Sequence, residues 1–121
     1  MKTILVVDDE QNNRFLYKKE LEESGYQVSV ASTGEEALKN SGQQEPDIII
    51  LDIKMPGIDS IEVMNKIKAE KGDIPIILCS VHGPYKQDFK AWASDAYVVK
   101  SADFRELKLT IKEIFNQRQA G

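Results

Sequence analysis

Four apolar runs in this chain end on residues able to do chemistry. "ILVV" leads straight into Asp8, Asp9 and Glu10, and "IIIL" into Asp52. "IPIILC" is followed by Ser80, Val81 and His82, and "YVV" by Lys100. Adjacent carboxylates repel, and burying them is costly unless something compensates. A hard divalent cation is such a compensation, because Mg²⁺ takes oxygen ligands while keeping several waters. A carboxylate is also a nucleophile toward phosphorus and forms an acyl phosphate. Positive charge and donors on the transferring phosphoryl group would come from the cation, Lys100 and the Ser80 hydroxyl.

This chemistry needs the four run-ends brought to one place. Short β-branched or aliphatic runs at 3–7, 26–31, 47–51, 75–80 and 96–99 read as strands, and the third and fourth are apolar throughout, as strands covered on both faces are. Helical spacing fills the intervals. Residues 11–24 carry Leu16, Tyr17 and Leu21 on one expected face and stop at Gly25. Thr33 and Glu36 form a capping box that opens a short helix through Ala37 and Leu38. Residues 58–70 carry Ile61, Met64 and Ile67, with Asp59 as expected N-cap. Residues 103–117 carry Phe104, Leu107, Ile111, Ile114 and Phe115, with Ser101 or Asp103 as N-cap. The segment 84–93 is weaker, with Pro84 suited to a first turn and Tyr85, Phe89 and Trp92 as its buried stripe. The tail "NQRQAG" reads as frayed.

Strands alternating with helices in this way predict a (βα)₅ α/β domain, a doubly wound parallel sheet with right-handed crossovers and helices on both faces. Ligands of such sheets bind beyond the carboxyl ends of the strands, which is where the chemistry-bearing residues fall.

The totals agree. A length of 121 residues fits one domain, expected to span 1–121. With 41% apolar and 30% charged residues, the chain reads as an ordinary soluble domain. Its net charge of -4 argues against non-specific binding to nucleic acid or to an anionic membrane. The one cysteine, Cys79, rules out an intrachain disulfide and reads as a small buried hydrophobe. No run approaches the length of a membrane span and the N-terminus lacks a signal-peptide core, so the expected compartment is the cytoplasm.

"VVDDE", "LDIKMPG", "ILCS" and "YVVKS" together make the chain resemble the receiver domains of two-component response regulators, over nearly its whole length and in the family's order. The resemblance implies the flavodoxin-like three-layer fold with strand order 2-1-3-4-5. It implies that Asp52 is the phosphoacceptor. Mg²⁺ (or Mn²⁺) would be held by Asp9, Asp52 and the backbone carbonyl of Lys54, with Asp8 acting through a metal-bound water. Ser80 would be the switch hydroxyl, Tyr97 the aromatic that changes rotamer with it, and Lys100 the phosphate-pairing lysine. The implied partners are a sensor histidine kinase or phosphotransfer protein and an output protein. The expected role is a switch rather than an enzyme, with no output domain in the chain, either a stand-alone receiver or one cut from a larger regulator.

Each residue also has a blander reading. Asp8, Asp9 and Asp52 could be solvated strand-end acids, Ser80 an ordinary hydroxyl, Tyr97 edge packing and Lys100 a surface lysine. Glu10 reads as a solvated acid near the first helix. His82, the sole histidine, reads as rimming the site with Val81 rather than donating phosphate.

The pattern also departs from the family. Val81 stands where Ala or Gly is usual and would crowd the phosphoryl group. Ser101 replaces a common proline after Lys100, so the bond between them is trans, or cis at about 2.5–4 kcal/mol. The Ser80–Lys100 interval is about two residues short and lacks the usual glycine before the fifth strand. Lys54 puts a flexible cation at the rim. Two rivals follow: an unphosphorylated pseudo-receiver acting as a binding module, and a Mg²⁺-dependent aspartyl-phosphate phosphatase. The second lacks a general acid two residues after Asp52, where Lys54 stands.

Overall fold

The computed structural model describes residues 2–33, 35–37, 39, 45–53, 58–70, 72–80, 95–99 and 103–120. Five strands, β1 (Thr3–Val7), β2 (Gln27–Ala31), β3 (Ile48–Ile53), β4 (Ile76–Ser80) and β5 (Ala96–Val99), form one sheet in the order β2-β1-β3-β4-β5. All four pairings are parallel. Among the described residues three helices accompany them: α1 (Gln11–Glu23), α2 (Ile58–Glu70) and α3 (Arg105–Ala120). A helical turn at 35–37 follows β2. The expected helical segment at 84–93 lies outside the described residues, with Tyr85, Phe89 and Trp92.

The sheet is apolar on both faces because alternate residues of each strand serve different cores. Ile4, Val6, Ile48, Ile50, Ile77, Cys79 and Val98 pack with Tyr17 and Leu21 of α1 and Leu107, Ile111 and Phe115 of α3. Leu5, Val7, Ile49, Leu51, Ile76, Leu78 and Tyr97 pack with Met64 and Ile67 of α2 and with Ala37. The result is the expected three-layer flavodoxin-like sandwich.

Several elements differ from the sequence reading. β3 runs through Asp52 and Ile53, which pair with Cys79 and Ser80, so Asp52 sits inside the strand and not after it. β2 starts at Gln27, because the Tyr26 backbone N–H closes the end of α1 by donating to the Leu21 carbonyl (3.2 Å). Gly25, at φ +97°, also donates to the Glu22 carbonyl (3.0 Å). These two bonds make a Schellman end, which needs the left-handed residue that glycine supplies without strain. β4 starts at Ile76, one residue after Pro75, which has no N–H for the ladder.

On α1 the buried stripe is Tyr17 and Leu21, whereas Leu16 is 48% exposed and Phe15 67%. Leu16 is five residues from Leu21, which on a helix is off the shared face. Asp59 lies within α2 and not at its cap. Thr33 caps as expected, its Oγ1 accepting from the Glu36 N–H (3.1 Å), but the Glu36 carboxylate accepts from the backbone and hydroxyl of Ser32, completing the box one residue earlier. α3 begins at Arg105, with the Asp103 carboxylate accepting from the Arg105 N–H (3.1 Å). It continues to Ala120, three residues past the expected end, since "QRQA" has neither glycine nor proline to stop it.

Two acids clamp the amino ends of the strands. Asp47 accepts from the backbone N–H (2.8 Å) and hydroxyl (3.2 Å) of Thr3, joining β1 to β3. Asp95 accepts from the Ile76 N–H (2.8 Å) and the Lys68 ammonium (2.8 Å), joining β4, β5 and α2. Lys108 of α3 pairs with Glu20 of α1 (3.1 Å).

Candidate functional site

At the carboxyl edge of the sheet β1 lies beside β3 with Val7 opposite Leu51. Asp8 and Asp52 each come one residue later. By strand alternation they continue the rows Ile4–Val6 and Ile48–Ile50, which face α1 and α3. Both are buried, Asp8 at 3% and Asp52 at 8% exposure, and they are the only buried charged residues among those described. Asp9 is exposed. The neighbouring acids at the end of β1 therefore occupy different environments.

The loop carrying the acids is pinned from three sides. The Asp8 N–H donates to the Ala31 carbonyl of β2 (3.0 Å). Its Oδ1 accepts from the Glu10 N–H (2.9 Å), and its carbonyl accepts from the Arg14 guanidinium (2.6 Å). Glu10 is the residue that caps α1: its backbone is extended and its carbonyl accepts from the Arg14 N–H (3.1 Å). Its carboxylate accepts from the Asn13 amide (3.2 Å). The reading of Glu10 as an acid at the helix start fits this placement.

Sequence reasoning missed two members of the site. Arg14 fixes the Asp8 carbonyl from one turn into α1. Tyr17, read as helix packing, donates its phenolic hydrogen to Oδ2 of Asp52. Its ring meets Phe104 edge-on at 5.5 Å. Burial, then the neighbouring Cys79 and Asp52, push the Tyr17 phenol well above the ordinary tyrosine range, so at neutral pH it is a neutral donor. A signal was available: a buried tyrosine needs a partner for its hydroxyl, and this one lies on the core stripe of α1.

Ser80 ends β4, paired with Ile53 on one side and Val99 on the other. Tyr97 is buried on the α2 side of the sheet. Lys54, Val81, His82, Lys100 and Ser101 lie outside the described residues, and with them the questions of the Lys100–Ser101 bond and of the short interval after Ser80.

The donors present suit a hard cation: carboxylate oxygens, two of them at the ends of adjacent strands. Among the described residues no three acidic, histidine or cysteine side chains form a closed cage. Mg²⁺ is commonly held by one or two carboxylates and its own waters, so the open donor set fits that ion.

A parallel sheet ordered 2-1-3-4-5 with buried acids at its carboxyl edge defines a class, and residues 4–112 match the response regulator receiver domain. The chain belongs to that family. It is 36% identical over 123 residues to the alkaline phosphatase synthesis transcriptional regulatory protein PhoP of Bacillus subtilis, covering 98% of this chain and 50% of PhoP. It is 30% identical over 112 residues to sporulation initiation phosphotransferase F of the same organism, covering 91% of this chain and 90% of that protein. The chain thus spans about half the length of PhoP and of several other relatives. Among solved structures, the response regulator TrrA of Thermotoga maritima, in complex with Mg²⁺-BeF, matches with a TM-score of 0.83 and 50% identity over 93% of this chain and 98% of that one. TrrA has also been solved in complex with the histidine kinase ThkA. Among the described residues no helix is long and apolar enough to cross a membrane.

Proposed function

We propose that this receiver accepts a phosphoryl group on Asp52 from a histidine kinase or phosphotransfer protein, with Mg²⁺ or Mn²⁺, and that the modification switches its binding to an output protein in the cytoplasm. The observation that carries the reading is a buried carboxylate, Asp52, in the middle strand of the sheet beside a second buried carboxylate, Asp8. The Mg²⁺-BeF complex of TrrA and the ThkA–TrrA complex support the same cofactor and partner class here by likeness.

Asp52, Asp9 and the Lys54 carbonyl would hold the cation, with Asp8 reaching it through water. Bound Mg²⁺ supplies positive charge to the phosphoryl oxygens as the transition state develops. The rest falls to the chain. An Asp52 oxygen forms the bond to phosphorus as the bond to the donor breaks and its electron pair leaves with the donor. Lys100 and the Ser80 hydroxyl take up charge on the transferred group. Their movement toward it, with Tyr97, biases two surface states, and a partner reads the favoured one. The domain serves as a protein-binding switch without direct contact to nucleic acid, and its net charge of -4 favours that.

Incubation with acetyl phosphate and Mg²⁺, followed by intact mass and phosphosite mapping, tests this. One phosphoryl adduct on Asp52, lost with EDTA and in Asp52→Ala, is expected. No adduct on the wild type, or one that survives Asp52→Ala, overturns it.

A further inference from the structure

Tyr17 is a buried polar residue that the chemistry above leaves unused. Packing alone does not call for its hydroxyl. The ring already fills the core among Leu21, Ile50 and Cys79, edge-on to Phe104, and phenylalanine would do the same. The hydroxyl is directed instead at Asp52 Oδ2, on the residue proposed to react.

We propose that the Tyr17 hydroxyl is a brake on the phosphorylated state: it holds the free Asp52 carboxylate more strongly than the acyl phosphate, slowing phosphoryl capture and shortening the life of the adduct. This rests on the phosphoacceptor reading of Asp52.

The two states differ in the charge on Asp52. In capture, an Asp52 oxygen lone pair forms the O–P bond while the donor's bond to phosphorus breaks. In hydrolysis, a water oxygen bonds to phosphorus, the Asp52 O–P bond breaks and its electron pair returns to the carboxylate. Inorganic phosphate leaves and the water's proton goes to solvent. The carboxylate carries a full negative charge; the acyl oxygens of the adduct carry much less. Hydrogen bonds to an ionised acceptor are roughly twice as strong as those between neutral groups. The same O–H therefore quiets the nucleophile in one direction and helps the leaving group in the other.

Tyr17→Phe keeps the ring and removes the hydroxyl. With acetyl phosphate and Mg²⁺, the variant is expected to load about three-fold faster, and its adduct to last about three-fold longer after donor removal, as one charge-assisted bond would give. A merely structural role moves these readouts differently, because loosened packing slows loading and shortens the adduct's life together. 4-Fluorophenylalanine at position 17 keeps the ring and fills part of the hydroxyl's space without donating, changes lifetime in the same direction and serves if Tyr17→Phe does not fold. A folded variant whose adduct lives no longer than that of the wild type overturns the inference while leaving the phosphoacceptor reading intact. A wild type that takes no adduct on Asp52 overturns both.

Discussion

The Arg14 guanidinium donates to the main-chain carbonyl of Asp8 at 2.6 Å. A side chain on α1 thereby sets the backbone of the loop that presents the acids. A charged donor on a carbonyl is worth about 1.5–3 kcal/mol when buried and less at this half-buried site. Arg14→Ala is expected to weaken Mg²⁺ binding by about three- to ten-fold, read by calorimetric titration. The melting temperature should fall by only a few degrees.

Leu16 and Leu21 are the same residue type on the same helix, one exposed and one fully buried. Leu21→Ala should cost about 2–5 kcal/mol in urea unfolding, from lost burial and the cavity left. Leu16→Ala should stay within about 0.5 kcal/mol. Equal costs would contradict the orientation of α1 described above.

Asp95 serves β4 and α2 through one carboxylate oxygen. Asp95→Ala leaves the Ile76 N–H without its acceptor and is expected to cost about 2 kcal/mol. Asp95→Asn retains a carbonyl oxygen for that N–H and should cost about half as much. The Lys68 ion pair is partly exposed, so its share of the loss should shrink in high salt.

Glu36 sits below the usual glutamate value of 4.5, held there first by the Ser32 hydroxyl and then by the Ser32 backbone N–H. Its folded-state value lies below its unfolded one. The stabilisation is therefore complete above the unfolded value and disappears as pH falls through the folded one. The Glu36 carboxyl resonance should titrate on the acid side of the ordinary range. Ser32→Ala should return it toward that range, as chemical shift against pH would show.

The sheet was legible in the sequence because aliphatic runs such as "IIIL" and "IPIIL" admit few other readings. Its limits were less so. The aliphatic run stops at Leu51, yet pairing with Cys79 carries β3 through Asp52. Composition does not reveal that ladder, since it depends on a strand far away in the chain. Leu16 was misread for a related reason: hydrophobicity marks which residues gain from burial, while the phase of α1 is set by Tyr17 and Leu21 against the sheet. Among the acids of the candidate site, the buried Asp8 and Asp52 were readable from the ends of their apolar runs. Tyr17 was legible only as a buried hydroxyl in need of a partner and Arg14 not at all, because which acid each meets depends on where α1 crosses them, and that crossing is a tertiary fact.

Because β3 pairs directly with β1, it must be seated in the sheet before Asp8 gains its neighbour across the strands. The step that seats β3 is thus also the step that assembles the acids. A small domain that unfolds in one cooperative step populates little between its end states, so a molecule either has the pair or lacks it. Mutations in the core far from the acids should then lower the number of responsive molecules in a population without dulling the response of each one.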